Sequence, residues 1–250
     1  MAGHSHWAKV KRAKGASDAK RGKLFSRLAR EIAMAAKLGG GDSSFNPRLR
    51  QAILTAKSES VPNDTIERAV KKGTGELGGI AIEEMLYEGY GTGGVAMIVE
   101  AATDNKNRAA AEIRSLFSKN NGSLAAPGSV AWMFQYRGLI LIPQGSASEE
   151  AIMEAALDAG AEDIRTSESH FEVITPTDKL YAVDDALKKG GIASESSKFS
   201  YLPNNLTPVT DESAARQVLA LLDALEDHED VQNVYSNLDI SEELAAKLAG

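Results

Sequence analysis

The sequence predicts an α+β protein in which a basic three-helix domain precedes two ferredoxin-like α/β sandwich domains, one inserted into the other. Three observations support this fold class. Residues 1–72 carry 16 Lys and Arg against 6 Asp and Glu, a net charge of +10, whereas the remainder carries −17. Apolar residues recur at helical spacing in the basic part and mostly at strand spacing after it. Residues 137–202 follow the ferredoxin-like order βαββαβ.

The basic domain is expected to span residues 1–78 and to begin with a mobile lysine-rich arm. The first helix, from about Asp18 to Lys37, has apolar and basic residues on two separate arcs of about 100° each. The apolar arc holds Leu24, Phe25, Leu28, Ile32 and Ala35, and the basic arc holds Lys20, Lys23, Arg27, Arg30 and Lys37. This pattern predicts one packed face and, opposite it, a continuous basic stripe.

Two further helices complete the predicted basic domain. The second should begin at Pro47 behind the N-cap residue Asn46, because proline is favoured in the first helical turn. The third should be capped by the pair Asp64 and Glu67 and should end at Gly73. The connections between the helices are too long for a tight helix-turn-helix, so sequence-specific contact through a recognition helix is not expected.

The acidic remainder is expected to form a discontinuous α/β domain and an inserted one. The insertion covers residues 137–206, and the discontinuous domain covers residues 79–136 and 207–250. The strong helix from Asp211 to about His228 and the strand after it have no strand partner nearby in sequence. We therefore expect them to join the sheet built by the segment before the insertion, whose strands are placed at 86–91, 95–101 and 130–135.

The charge asymmetry indicates nucleic acid as the partner of the basic domain. A segment of charge +10 gains free energy by releasing counterions from phosphates, whereas the acidic part would be repelled and is free to bind a protein. The predicted nucleic-acid contacts are His4, His6, Trp7, Lys9, Lys11, Arg12, Lys14, Lys20, Arg21, Lys23, Arg27, Arg30, Arg48, Arg50, Lys57, Lys71 and Lys72. Among them, His4, His6 and Trp7 can contact phosphate or stack on bases.

Composition argues against several other classes of protein. The chain has no cysteine, which excludes disulfides, thiolate metal sites and a cysteine nucleophile. No apolar run approaches the ~18 residues of a membrane helix, and the N-terminus lacks the apolar stretch of a secretory signal. The expectation is a cytoplasmic protein that makes no membrane contact.

Candidate enzyme sites are each better explained by structure. Residues 89–94 match GxGxxG, but the glycines lead into a strand, so a hairpin turn is expected instead of a dinucleotide site. Glu83, Glu84 and Glu88 could together hold Mg²⁺, yet no phosphate-binding loop accompanies them. His170 and His228 have no evident nucleophile or ligand partner. We therefore predict no catalytic residue, no metal and no cofactor.

Several short segments together resemble the YebC/PmpR-type family. The opening Met-Ala-Gly-His-Ser-His-Trp is the most specific of them. The others are Lys20–Phe25, Arg48–Ala56, Val61–Asn63, Tyr87–Gly91, Thr103–Asn105, Asn107–Arg108, Gly128–Val130 and Phe134. The resemblance spans essentially the whole chain, and it implies the same architecture of a helical domain followed by two α/β domains.

The resemblance also implies a role in gene expression, with two alternatives left open. Bacterial members are regarded as DNA-binding transcriptional regulators, which favours duplex DNA as the partner. A mitochondrial branch is regarded as translational activators and bacterial members have been placed at the ribosome, which favours ribosomal RNA. Backbone contact without a recognition helix suits either partner, because folded RNA is recognised largely by shape. An enzyme acting on a nucleotide or RNA is the least favoured alternative.

Overall fold

The computed structural model describes residues 18–78, 82–167 and 169–249, with the backbone alone for residues 18–20, 242 and 249. These residues form eight α-helices: α1 Asp18–Gly39, α2 Pro47–Ser58, α3 Asn63–Gly73, α4 Lys106–Lys119, α5 Glu149–Asp158, α6 Leu180–Lys189, α7 Glu212–Glu226 and α8 Glu242–Ala249. They form ten strands: β1 Glu83–Tyr90, β2 Ala96–Thr103, β3 Ser123–Leu124, β4 Phe134–Pro143, β5 Asp163–Thr166, β6 His170–Thr175, β7 Ser196–Pro203, β8 Thr207–Pro208, β9 Val231–Ser236 and β10 Leu238–Asp239. The α+β class is confirmed.

Helices α1, α2 and α3 form a three-helix unit around a small core. Ile32 and Leu49 are fully buried there, together with alanines that let the helices approach closely. The Asn46 side chain accepts a hydrogen bond from the Leu49 N–H, so the predicted cap of α2 is confirmed. Gly73 ends α3 against α1, where a Cβ would lie 2.2 Å from the Ala33 carbonyl oxygen.

The first sheet is completed by a strand from the far end of the chain. Its strand order is β3-β1-β2-β9, with β2 antiparallel to both neighbours. Helices α4 and α7 pack on one face, where Phe117 and Leu221 are fully buried. The predicted return of the C-terminal strand to the sheet that precedes the insertion is confirmed. A further pair of short parallel strands, β8 and β10, lies beside it.

The second sheet has the ferredoxin-like strand order. Strands β4 to β7 are arranged β5-β6-β4-β7, with every neighbouring pair antiparallel, and helices α5 and α6 cover one face. The fully buried residues Ile140, Ile152 and Leu187 join sheet and helices. The first sheet differs from this order because it opens with the β1–β2 hairpin. The domain limits at residues 78, 136 and 206 stay predictions.

Helix α1 packs on two sides. Ile32 and Ala35 face the three-helix core, whereas Ala33 and Met34 pack with Ile82 and with Ala102 of the first sheet. Strand β2 is accordingly buried on both of its faces. The prediction that the side of α1 opposite the three-helix core is a continuous basic stripe is therefore wrong over the second half of the helix.

Two local predictions are also wrong. The segment predicted as a strand at 130–135 contains a 3-10 turn at Ala131–Met133, and strand β4 begins only at Phe134. The third helix begins at Asn63 behind Pro62, and no side chain caps it, because Asp64 already lies inside its first turn. Over the described residues, no helix combines the length and the apolar character needed to cross a membrane.

Candidate nucleic-acid interface

The three-helix unit carries a set of exposed cations on all three helices. Their side chains pair with no carboxylate side chain that the structure describes. The set consists of Arg21, Lys23, Arg50, Lys57, Arg68, Lys71 and Lys72, which we call the exposed cations. On α2, Arg50 and Lys57 are seven residues apart and therefore share one face of the helix.

Sequence reasoning found six of the exposed cations and missed Arg68. Arg68 lies four residues before Lys72, so the two share a face of α3. The neighbouring Glu67, which is also exposed, carries the opposite charge, so the sequence pattern does not single out Arg68 as part of a basic surface. The spacing to Lys72 was the signal that could have identified it.

Two residues of the predicted basic stripe, Arg30 and Lys37, are bonded to the α/β part of the chain. Arg30 donates to the Glu229 carbonyl oxygen and lies 3.3 Å from the carboxylate of Asp230, which is only 1% exposed. Lys37 donates to the Ile82 carbonyl oxygen at 2.9 Å. These two residues therefore hold α1 against the α/β part, and the charge of Arg30 is partly neutralised by Asp230.

Arg48 is likewise held by two carboxylates. Its Nε lies 2.9 Å from Glu31 and its Nη2 lies 2.7 Å from Glu84, so it bridges α1 to strand β1. Burial acts to lower the pKa of the Arg48 guanidinium, but Glu31 and Glu84 outweigh burial and raise the pKa above its ordinary value. Among the predicted contacts, Arg48 therefore fits a structural role as well as a binding one.

Arg27 differs from the residues on either side of the same stripe. It is half-buried, and this burial lowers the pKa of its guanidinium. No carboxylate of the described residues pairs with it. Arg27 is thus a partly desolvated cation to which a phosphate could offer a partner.

The remaining predicted contacts lie outside the description of the structure. His4, His6, Trp7, Lys9, Lys11, Arg12 and Lys14 precede the described residues, and Lys20 is described by its backbone alone, in the first turn of α1. Their assignment to the interface stays a prediction from sequence.

The glutamates considered for Mg²⁺ each have other partners. Glu88 is buried and accepts hydrogen bonds from the backbone N–H groups of Gly128, Val130 and Ala131, at 2.6, 2.5 and 2.8 Å. Burial acts to raise the pKa of Glu88, but these three donors outweigh burial and lower the pKa below its ordinary value. Since Glu83 pairs with Lys106, and Glu84 with Arg48, the three carboxylates do not converge.

Among the residues that the structure describes, one cluster has ligand atoms close enough to hold a cation, namely Glu112, His228 and Asp230. Most of its ligand atoms already have hydrogen-bond partners, and the Asp230 Oδ1 atom lies 3.3 Å from the Arg30 guanidinium. His228 Nε2 lies 2.9 Å from Glu112, and its Nδ1 accepts the Asp230 N–H at 3.1 Å. Asp230 accepts from Thr103 and Arg108 at 3.0 and 2.8 Å. With the Arg30 and Arg108 guanidiniums adjacent, this cluster is suited to holding α1 in place and poorly suited to a metal ion.

The glycine-rich segment at 89–94 is a hairpin connection, as expected. It joins the antiparallel strands β1 and β2 through a short turn, and Gly93 and Gly94 have φ values of 75° and 74°. Glycine adopts these angles without strain. Asn105 caps α4 by accepting a hydrogen bond from the Arg108 N–H, which gives this polar helix start a structural role.

Comparison with known proteins agrees with this arrangement. Residues 5–76 match the family model described as the TACO1/YebC protein N-terminal domain, and residues 82–238 match the TACO1/YebC second and third domain. A "Probable transcriptional regulatory protein DP2908" from Desulfotalea psychrophila is 55% identical over 249 residues and covers 100% of both chains. A "Probable transcriptional regulatory protein" from Methylacidiphilum infernorum is 54% identical over 244 residues and covers 98% of both.

A solved structure shows the same fold. The crystal structure of the conserved hypothetical protein Aq1575 from Aquifex aeolicus superposes with a TM-score of 0.83 at 46% identity, covering 90% of this chain and 93% of that one. The two family models together match both the helical unit and the α/β part. The resemblance drawn from the sequence is thereby confirmed, and the chain belongs to the TACO1/YebC family.

Proposed function

We propose that this protein is a non-enzymatic regulator of gene expression that binds DNA through the phosphate contacts of its three-helix unit. The observation that carries the proposal is the set of exposed cations on α1, α2 and α3, which have no carboxylate partner among the described residues. Its relatives' names, "Probable transcriptional regulatory protein", support regulation and favour DNA over ribosomal RNA.

Charge contrast supports binding through one end of the molecule. The chain after residue 72 carries a net charge of −17, so a polyanion would be repelled by it and attracted by the helical unit. The ion pairs of Arg30 and Arg48 fix the helical unit on the acidic part. The exposed cations would then meet the nucleic acid as a preorganised surface, and the acidic part would face away from it.

The cations suit backbone contact better than contact with base edges. Lysine is a flexible point charge that binds phosphate from many directions, and four of the seven exposed cations are lysines. We therefore expect affinity to depend strongly on salt and weakly on sequence. The groups considered for metal binding or catalysis are also consistent with a binding role. Glu88, His228 and Asp230 are each hydrogen-bonded to partners within the protein.

The test is a charge reversal with a matched control. The triple variant Lys57→Glu, Lys71→Glu and Lys72→Glu changes the exposed cations without touching the ion pairs of Arg30 and Arg48. The control Lys119→Glu, Lys179→Glu and Lys189→Glu makes the same change in net charge at exposed positions of the acidic part. Both variants should keep the wild-type melting temperature, because all six lysines are exposed.

Fluorescence anisotropy with a labelled DNA duplex over a range of salt concentrations measures the effect. The first variant should bind at least about tenfold more weakly, with a slope of log K against log salt smaller by roughly 2.7, because each phosphate contact contributes about 0.9. The control should bind like the wild type. An equal loss in both variants, or a wild-type affinity insensitive to salt, would contradict the proposal. Tighter binding to an RNA hairpin than to DNA would reject DNA as the preferred partner.

A further inference from the structure

The connection between α1 and α2 contains an aromatic ring that is exposed to solvent. Phe45 is 85% exposed, the largest exposed fraction among the large hydrophobic residues of the described chain. It stands in the polar segment Gly-Gly-Gly-Asp-Ser-Ser-Phe-Asn, at residues 39–46. Keeping a phenylalanine ring in water forgoes about 2 kcal/mol of burial, so its position calls for a partner outside the chain.

The segment holding Phe45 is firmly tied at both ends. Asn46, only 4% exposed, donates from Nδ2 to the carbonyl oxygens of Ala35 and Gly40, both at 2.8 Å, and its Oδ1 caps α2. The Ser44 N–H donates to the Asp42 carboxylate at 2.8 Å, and the Phe45 N–H donates to the Asp42 carbonyl oxygen. The ring is therefore presented from a preorganised backbone, which lowers the entropy cost of binding through it.

One cation lies near the segment that holds the ring, and a second lies on the same helix face. The Arg50 guanidinium reaches back to the carbonyl oxygens of Ser43 and Ser44, each at 3.4 Å, so its charge is placed next to the residue that precedes Phe45. Lys57 lies on the same face of α2, about 10 Å further along the helix axis. An exposed aromatic ring with cations nearby is a combination that binds single-stranded nucleic acid, where bases stack on the ring and phosphates meet the charges.

We propose that Phe45 stacks on an unpaired nucleobase while Arg50 and Lys57 hold the phosphates on either side of it. This proposal rests on the proposed function and adds that the bound nucleic acid presents an unpaired base at this position. Arginine beside an aromatic ring also occurs in protein interfaces, but lysine, aspartate and serine are depleted there. Lys57 on the same face of α2, and the Asp42 and Ser44 side chains of the segment itself, therefore favour nucleic acid.

The experiment compares two probes of equal length, a fluorescein-labelled 12-nucleotide oligo(dT) and a blunt 12-base-pair duplex, on the full chain. Phe45→Ala should lower the affinity for the single strand by about tenfold, because one base–aromatic stack is lost, and change duplex binding less than about twofold. Trp132→Ala is the matched control, since Trp132 is 71% exposed but lies outside the helical unit. It should change neither affinity.

A second variant reports on stacking directly. Phe45→Trp should retain single-strand binding, and its added tryptophan fluorescence, relative to the wild type, should be quenched when oligo(dT) binds. Single-strand affinity unchanged in Phe45→Ala, equal losses on both probes, or no quenching in Phe45→Trp would each overturn the stacking proposal. If the lysine reversals still weaken duplex binding, the proposed function survives that failure. A wild-type protein that binds neither probe overturns both.

Discussion

Replacing Glu88 by glutamine tests whether one buried carboxylate holds the segment around Gly128, Val130 and Ala131 in its conformation. In the wild type, one carboxylate oxygen accepts from Gly128 and the other accepts from both Val130 and Ala131. Glutamine has nearly the same shape, but it offers one acceptor oxygen and one NH₂ group. Its oxygen can serve Val130 and Ala131, which leaves the NH₂ group facing the Gly128 N–H.

The expected loss follows from these three hydrogen bonds. Hydrogen bonds to a charged acceptor contribute about 1.5–3 kcal/mol each, against about 0.5–1.5 for neutral ones, so the two retained bonds lose roughly 2 kcal/mol together. The unpaired Gly128 donor adds about 1 kcal/mol, at the low end of the usual range because Gly128 is exposed and water can reach it. We expect Glu88→Gln to lower the free energy of unfolding by about 3 kcal/mol.

Urea unfolding followed by far-UV circular dichroism at pH 7 measures this loss from the shift in midpoint. Glu83→Gln is the control, because Glu83 lies on the same strand but its side chain is half exposed, so its replacement should leave the midpoint nearly unchanged. A loss for Glu88→Gln below about 1 kcal/mol would show that the three backbone donors find other acceptors, and would refute the reasoning.

The same variant should show a defined pH dependence. Because the folded-state pKa of Glu88 is lowered, its carboxylate contributes full stability above the unfolded value of about 4.3, and the contribution is lost as the pH falls through the lower folded value. The stability difference between wild type and Glu88→Gln should therefore be constant from pH 7 to about pH 5 and shrink below about pH 4. A difference that grows on acidification would contradict this sign.

Three further substitutions have expected outcomes. Asp230→Asn removes the buried charge that faces Arg30, so it should speed amide hydrogen exchange in α1 and lower the free energy of unfolding by about 2 kcal/mol. Unchanged exchange would show that the Arg30–Asp230 pair does not hold α1 in place. Gly73→Ala places a methyl group 2.2 Å from the Ala33 carbonyl oxygen and should lower the melting temperature through a loss of about 1–3 kcal/mol. Gly138→Ala places one 2.2 Å from a buried threonine hydroxyl and should cost a similar amount, measured by urea unfolding.

The helices and the ferredoxin-like order could be predicted because local signals fix them. Apolar spacing identified the packed face of α1, and Asn46 with Pro47 marked the start of α2. The wrongly predicted strand at 130–135 shows where such signals fail. Its backbone N–H groups are recruited by Glu88, some forty residues away in sequence, and a residue pattern read locally contains no trace of that contact.

The prediction for the second face of α1 is wrong for a different reason. A helical wheel separates polar from apolar residues, but it does not say whether the polar side meets solvent or another part of the chain. Arg30 and Lys37 looked like a free stripe, yet Met34 lies between them and is only 3% exposed. That apolar residue within a basic arc was the available signal. The sequence pattern predicts only a connecting segment around Phe45, so it does not reveal the exposed ring.

The pairing of β2 with β9 also determines when the protein can finish folding during synthesis. The Ala102 N–H donates to the Asp230 carbonyl oxygen, so this contact waits for 128 further residues to be translated. At about 5–20 residues per second, the delay is roughly 6–26 s. During that time one edge of β2 has no partner strand and can associate with other chains. The strands of the ferredoxin-like sheet all lie within this interval, so that sheet can form first. Nascent chains that stall before β9 would keep the edge of β2 unpaired and would be the most aggregation-prone species.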